Sequence, residues 1–269
     1  MKKNICVMMA HADDIELSAG ATLAKYISEG YGALYGVLTR CNSGWNENEA
    51  EGGQYKPSVE IVPKRKAEAQ AAAKVFGAEF YMGSTLENCY TRKDRVPVYP
   101  SYEGVGAQGT PADDVMKGQP IIVAAGAGYN APADQLVEMT DLLVKWEPEI
   151  IICQSFQCWN PDHYAAALML LKAWMGASEK VELGDFWIPV RMPSAKWPNF
   201  PPMEPNHFED VTGFEETAEK ALSCHVSQGM SLPQHHEHLR EKWAKWGERA
   251  GCTSAEAFVR LDPWKKEAN

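Results

Sequence analysis

The sequence predicts an α/β fold, a mostly parallel sheet covered by helices on both sides. Uninterrupted apolar runs at residues 5–10 (ICVMMA), 33–39 (ALYGVLT) and 150–155 (IIICQS) have the length of strands buried on both faces. The early runs are separated by stretches of helical apolar spacing that end at glycine. A β-α-β-α-β order of this kind folds into a parallel layer with helices packed on each side.

Residues 13–29 carry Leu17, Ala19, Leu23, Ala24 and Ile27 at helical spacing, and Gly30 supplies the stop. Residues 64–76 (KRKAEAQAAAKVF) form an Ala- and Lys-rich helix closing at Gly77, and 79–82 form a third short strand. Residues 88–118 have little periodicity and much Pro and Gly. Such a stretch is a long loop that covers or builds a site, or else holds small structured pieces. Residues 133–145 read as a helix broken by Pro148, and 163–175 (HYAAALMLLKAWM) as a long helix. Residues 184–190 read as a strand, 193–205 as a second long loop, and 214–225 and 235–246 as helices. With no internal repeat or low-complexity linker, residues 1–269 are expected to form a single catalytic domain.

Composition excludes several function classes. Hydrophobic types make up 45% of 269 residues, ample for a large core. A formal net charge of −10, with no Lys/Arg stripe, argues against a nucleic-acid partner. The 7 cysteines form no CxxC pair, which suggests neither a disulfide framework nor a four-thiolate zinc site and points to a reducing, cytoplasmic setting. The apolar run after Lys3 is too short for an export signal, and no stretch reaches transmembrane length, so no membrane partner is expected. No Walker sequence is present to call for a nucleotide. The 9 Trp and 10 Tyr fall often in loop-like stretches, where they either stack on sugar faces or pack the loops down.

Two polar clusters carry the chemistry. His11-Ala12-Asp13-Asp14-Ile15-Glu16 follows the first strand, at the carboxyl edge where open α/β sheets bind ligands. Adjacent carboxylates gain nothing from a hydrophobic fold and are tolerable beside a cation or in contact with water. Taken singly, Asp13 or Asp14 has a plain reading as a helix cap, His11 as a polar residue of the sheet edge, and Glu16 as a first-turn acid. Asn160-Pro161-Asp162-His163 repeats the geometry: a buried strand, a polar corner, a helix. If the two strands are neighbours, His163 arrives above the same edge as His11 and Asp14. Two imidazoles and a carboxylate form a zinc set that leaves room for a water. Asp13 is then the natural general base, and Asp162 either orients a ligand or caps the helix.

The remaining candidates are less specific. His225 reaches the site or merely favours a helix C-terminus, and His207 lies in a loop. His235, His236 and His238 read as surface residues of a charged helix, and Arg65 and Glu68 as a surface pair three apart.

HADD, in AHADDIELSAGATLA, resembles the HPDD signature of the LmbE-like, or PIG-L-like, zinc-dependent de-N-acetylase family, and NPDH resembles its second signature. LTRCNSG, RKAEAQAAAKVFGA, WEPEIII, KALSCHVSQ and AEAF follow the family's order over most of the chain. The resemblance implies a Rossmann-like three-layer sandwich with long active-site loops. It also implies Zn2+, or another divalent transition metal, on His11, Asp14 and His163, with Asp13 as base and Arg65 organising the substrate pocket. The implied activity is removal of an N-acetyl group from an amino sugar of the N-acetylglucosamine type, releasing acetate. Hydrolysis of another amide or ester, or non-catalytic carbohydrate binding around a retained metal site, are the alternatives. Two departures stand out. Ala12 replaces the usual Pro, and Asn160 stands where several members have a His that stabilises the oxyanion and protonates the amine. An Asn amide donates a hydrogen bond but supplies no proton, so Asp13 or His225 must return it.

Overall fold

The computed structural model describes residues 2–42, 61–85, 87, 90–91, 97–98, 133–157, 160–191 and 203–263. Its strands are β1 (Lys2–Met9), β2 (Gly32–Thr39), β3 (Glu79–Thr85), β4 (Tyr90–Thr91), β5 (Pro97–Val98), β6 (Pro148–Ile152), β7 (Asp185–Pro189), β8 (His207–Asp210) and β9 (Ala255–Leu261). The helices are α1 (Asp14–Ser28), α2 (Val62–Phe76), α3 (Ala133–Trp146), α4 (Pro161–Ser178), α5 (Glu215–Leu222) and α6 (Pro233–Ala250).

Seven strands form one sheet in the order β3-β2-β1-β6-β7-β9-β8. The first five are parallel, and β9 and β8 add an antiparallel edge. Strand β1 reads as an apolar run because both its faces are covered. Ile5, Val7 and Met9 pack with residues of α1 and α2, whereas Cys6, Met8 and Ala10 pack with α3 and α4. The result is the three-layer α/β architecture that the sequence predicts.

Several boundaries differ from the sequence expectation for physical reasons. Pro148 opens β6 rather than merely ending a helix, since the first residue of a strand tolerates a missing N–H. Residues 153–155 lie beyond that strand, and Gln154 among them reaches the site. The helix from Asp14 to Ser28 is broken at Ala19 (φ −148°, ψ 18°). Glu256 of β9 caps the second half by accepting from the N–H groups of Ala21 (3.4 Å) and Thr22 (2.9 Å). Helix α2 does stop at Gly77, whose φ of 81° suits glycine. The antiparallel pair β8–β9 has no counterpart in the sequence reading, and β4 pairs with β5 inside the expected loop 88–118. The rest of that loop, and most of 193–205, lies outside the described residues. Among the described residues, no helix is long and apolar enough to cross a membrane.

The topology decides where chemistry can sit. Strands β1 and β6 are hydrogen-bonded neighbours, pairing Ile5 with Ile150 and Val7 with Ile152. Strand β1 feeds α1 and β6 feeds α4, and these helices lie on opposite faces, so a crevice opens between the two carboxyl ends. The two polar corners of the sequence meet there.

Candidate metal centre

The turn after β1 bends sharply. Asp13 has a φ of 104°, a left-handed conformation rare outside glycine, and its side chain makes no cap bond to α1. Helix capping therefore does not explain Asp13. Asp14 folds back instead, its Oδ2 accepting from the His11 N–H at 2.9 Å. His11 Nδ1 lies 3.2 Å from the same oxygen, and His163 Nε2 lies 3.3 Å from it. The two ring nitrogens are 3.1 Å apart. Among the described residues, His11, Asp14 and His163 form the one group of His, Cys, Asp or Glu able to converge on an ion. Donors placed about 2.0–2.1 Å from a tetrahedral zinc ion lie roughly 3.3 Å from one another, so the set fits zinc in both chemistry and spacing.

The surroundings favour positive charge at this point. Burial pulls the His11 ring down, but Glu87, Asp14 and Asp162 outweigh it and hold its pKa well above the usual value. Burial likewise pushes the Asp14 carboxyl up, yet His163 and His11 prevail and keep it well below the carboxylate range. Asp162, fully buried, lies 3.4 Å from His11 Nε2, and Glu87 Oε1 lies 3.8 Å from it. Both acids thus face the nitrogen that the centre does not use, a common way of fixing a ligand's tautomer. The cap of α4 is Asn160, whose Oδ1 accepts from the Asp162 N–H at 2.8 Å, so Asp162 is released from capping.

Sequence reasoning missed Gln154, which ties the two corners together. Its Oε1 accepts from the Ala10 N–H at 3.0 Å, and its Nε2 lies 3.3 Å from His163 Nδ1. Replacing Gln154 with Ala, which leaves the Ala10 N–H beside the centre without its acceptor, is expected to weaken cation affinity about tenfold. Competition with a chromophoric chelator measures it. Unchanged affinity would show that Gln154 does not hold the corner in shape.

The sequence profile of the GlcNAc-PI de-N-acetylase (PIG-L) family matches residues 6–174, a stretch holding both corners. The chain belongs to this family. None of the curated proteins matches it. Solved structures that share the PIG-L fold include the 4-carboxy-2-hydroxymuconate hydratase GalB from Pseudomonas putida KT2440, with a TM-score of 0.66, 18% identity and 100% of each chain covered. The N,N'-diacetylchitobiose deacetylase from Pyrococcus horikoshii has a TM-score of 0.62 and 16% identity, covering 97% of this chain and 84% of that one. The zinc-inhibited form of teicoplanin deacetylase Orf2 has a TM-score of 0.64 and 15% identity, covering 97% of this chain and 100% of that one.

Other candidates of this PIG-L chain fall around the same corner. Arg65 is buried, not a surface residue, and its Nη2 donates to the Ala12 carbonyl at 2.8 Å and lies 3.9 Å from Asp13 Oδ1. Glu68, three residues on, adds to the negative charge around that guanidinium. It accepts from the Ser227 N–H (2.8 Å) and Oγ (2.7 Å), which fastens the loop after α5 to α2. Burial pushes the Asp13 carboxyl up to about 6; Arg65 opposes that rise and the Asp14 charge adds to it. His225 is fully buried, with Nε2 3.4 Å from Glu16 Oε1. Burial depresses this ring, but Glu16 outweighs it, aided by Asp13, and raises its pKa. Glu16 is not a solvated first-turn acid, because its Oε1 also accepts from Tyr35 Oη at 2.9 Å in a fully buried cluster.

The remaining histidines do not join the centre. His207 lies 3.0 Å from Glu209 on β8, and His236 contacts Ser223 and the Met230 carbonyl. On α6, His238 is exposed and His235 is half-buried.

Proposed function

We propose that the chain is a divalent-metal hydrolase that removes an N-acetyl group from an amino-sugar or glycoside of the N-acetylglucosamine type, releasing acetate. One observation carries the reading: His11, Asp14 and His163 converge on one point while Asp13, next in sequence, stays outside the donor set. A divalent ion bound there, zinc being the best match to the donors, supplies Lewis acidity to the acyl oxygen and to a water.

The protein's own groups account for the rest. Asp13 accepts a proton from the water as its oxygen attacks the acetamide carbon. With a pKa near 6 the carboxylate is ionised at neutral pH yet still basic enough to take that proton. The Asn160 oxygen is committed to the helix cap, so the amide acts through its N–H groups, donating to the oxyanion. Protonated Asp13 returns the proton to nitrogen, the C–N bond breaks, and acetate leaves with the free amine. Buried His225 lowers the Asp13 pKa through its charge, so it adjusts that carboxyl rather than meets the substrate. Membership of a de-N-acetylase family and the deacetylases of like fold support this reading.

The test is acetate release from N-acetylglucosamine, N-acetylated disaccharides and N-acetylated glycosides by metal-loaded protein. Phosphate esters and unsaturated acids serve as rival substrates, the latter because a hydratase shares the fold. Phosphate release or water addition without acetate would overturn the proposal.

A further inference from the structure

We infer that Cys41 is a positioning residue of the catalytic turn: its sulfur accepts the buried N–H of Ala12 and so fixes the bend from which Asp13 and Asp14 project. The inference rests on the role proposed above for that turn, and goes beyond it to what holds the turn in shape.

Ala12 is fully buried, so both polar atoms of its backbone need partners within the protein. Its carbonyl has Arg65 Nη2 at 2.8 Å, and its N–H has Cys41 Sγ at 3.2 Å. With both ends of residue 12 held, Asp13 is fixed at a φ of 104° that its side chain would not otherwise adopt. The grip comes from the end of β2. The Ala10 carbonyl accepts from both the Thr39 N–H (3.1 Å) and Oγ1 (2.8 Å), and Thr39 Oγ1 in turn accepts from the Cys41 N–H at 3.2 Å. Cys41 itself has a φ of 51°, which turns its side chain back over the β1 corner. Burial holds the thiol's pKa at about 11, so the sulfur is a neutral acceptor. The need for this acceptor arises from the alanine. A proline at position 12 has no N–H, and with it the sulfur would keep only its 3.8 Å contact with Thr39 Oγ1.

That relation defines a double-mutant cycle between Ala12→Pro and Cys41→Ala. In the natural chain, Cys41→Ala is expected to lower kcat about tenfold at nearly constant KM and to weaken cation affinity about tenfold, a typical result of orphaning a buried donor. In the Ala12→Pro chain the same change is expected to cost less than about twofold. Cys41→Ser, which keeps an acceptor, restores most of the loss.

Equal losses in both backgrounds would mean that the sulfur only fills space, and would overturn the inference. So would the absence of any loss. Amide exchange at Ala12, followed by NMR in the metal-free protein, decides the matter even if Ala12→Pro does not fold. Exchange accelerates in Cys41→Ala and stays slow in Cys41→Ser, and unaltered exchange in Cys41→Ala overturns the inference. Cation affinity and amide exchange need no substrate, so failure of the deacetylase reading leaves this test intact.

Discussion

Replacing Asp13 with Asn is expected to cut kcat by about 10²–10⁴-fold, the range a positioned general base contributes. Cation affinity is expected to survive, because position 13 lies outside the His11, Asp14 and His163 donor set. The same substitution is expected to stabilise the metal-free protein. Burial raises the Asp13 pKa from 3.8 to about 6, so the fold favours the protonated acid. Below about pH 4 the acid is protonated in both folded and unfolded chains and costs nothing. As pH rises toward 6, the unfolded chain ionises first and stability is lost. Asn carries no charge, so its advantage grows across that window and levels off at roughly 3 kcal/mol at most. Denaturant unfolding at acid and neutral pH, beside kcat, measures both effects. A variant that is fully active would remove Asp13 as the base. A variant less stable at neutral pH would make its role structural.

The buried Asp13 carboxyl beside the donor set is visible in the sequence only as one of two adjacent acids. What made the centre legible was repetition: an apolar strand, a polar corner and a helix occur at HADD and again at NPDH. Parallel pairing of β1 with β6 then forces the two corners to one edge. The outer supports lacked such a signal. Arg65 lies in an Ala- and Lys-rich helix whose composition reads as solvated, and it is buried only because α2 abuts the first corner. Gln154 continues an apolar run and reads as part of the strand. Glu87 and Asn42 are single polar residues after β3 and β2, joined when the Glu87 N–H donates to Asn42 Oδ1 at 2.7 Å.

The fold shows the same division. Strands buried on both faces announce themselves by composition, whereas the β8–β9 edge does not. HFED is four residues long and half exposed, and its partner AEAFVRL lies far along the chain. Glu256 interrupts the latter's apolar pattern for a reason no local reading supplies: it caps the broken helix α1 and accepts from Trp243 Nε1 at 3.0 Å. Residues whose partners are set by tertiary packing carry no periodicity of their own.

Removing one donor tests the centre itself. His163→Ala is expected to abolish turnover and weaken cation binding by more than about 100-fold, since even outer partners of a ligand are worth about 10–100-fold. Chelation of the natural chain is expected to abolish turnover in the same way, with recovery on adding zinc back. The pH dependence of binding carries the sharper information. Against the effect of burial, Glu87, Asp14 and Asp162 hold the His11 pKa well above its usual value, so a cation must displace a proton there. Asp14, despite burial, is held ionised by His163 and His11 and adds no proton in this range. Affinity is therefore expected to rise with pH through neutrality, by about one log unit per pH unit while His11 gives up its proton, and to level off once that ring is neutral. Zinc titration against a competing chelator between about pH 6 and pH 8 measures the slope. A flat profile, or a His163→Ala chain that binds zinc as well as the natural one, would show that these imidazoles do not hold the ion.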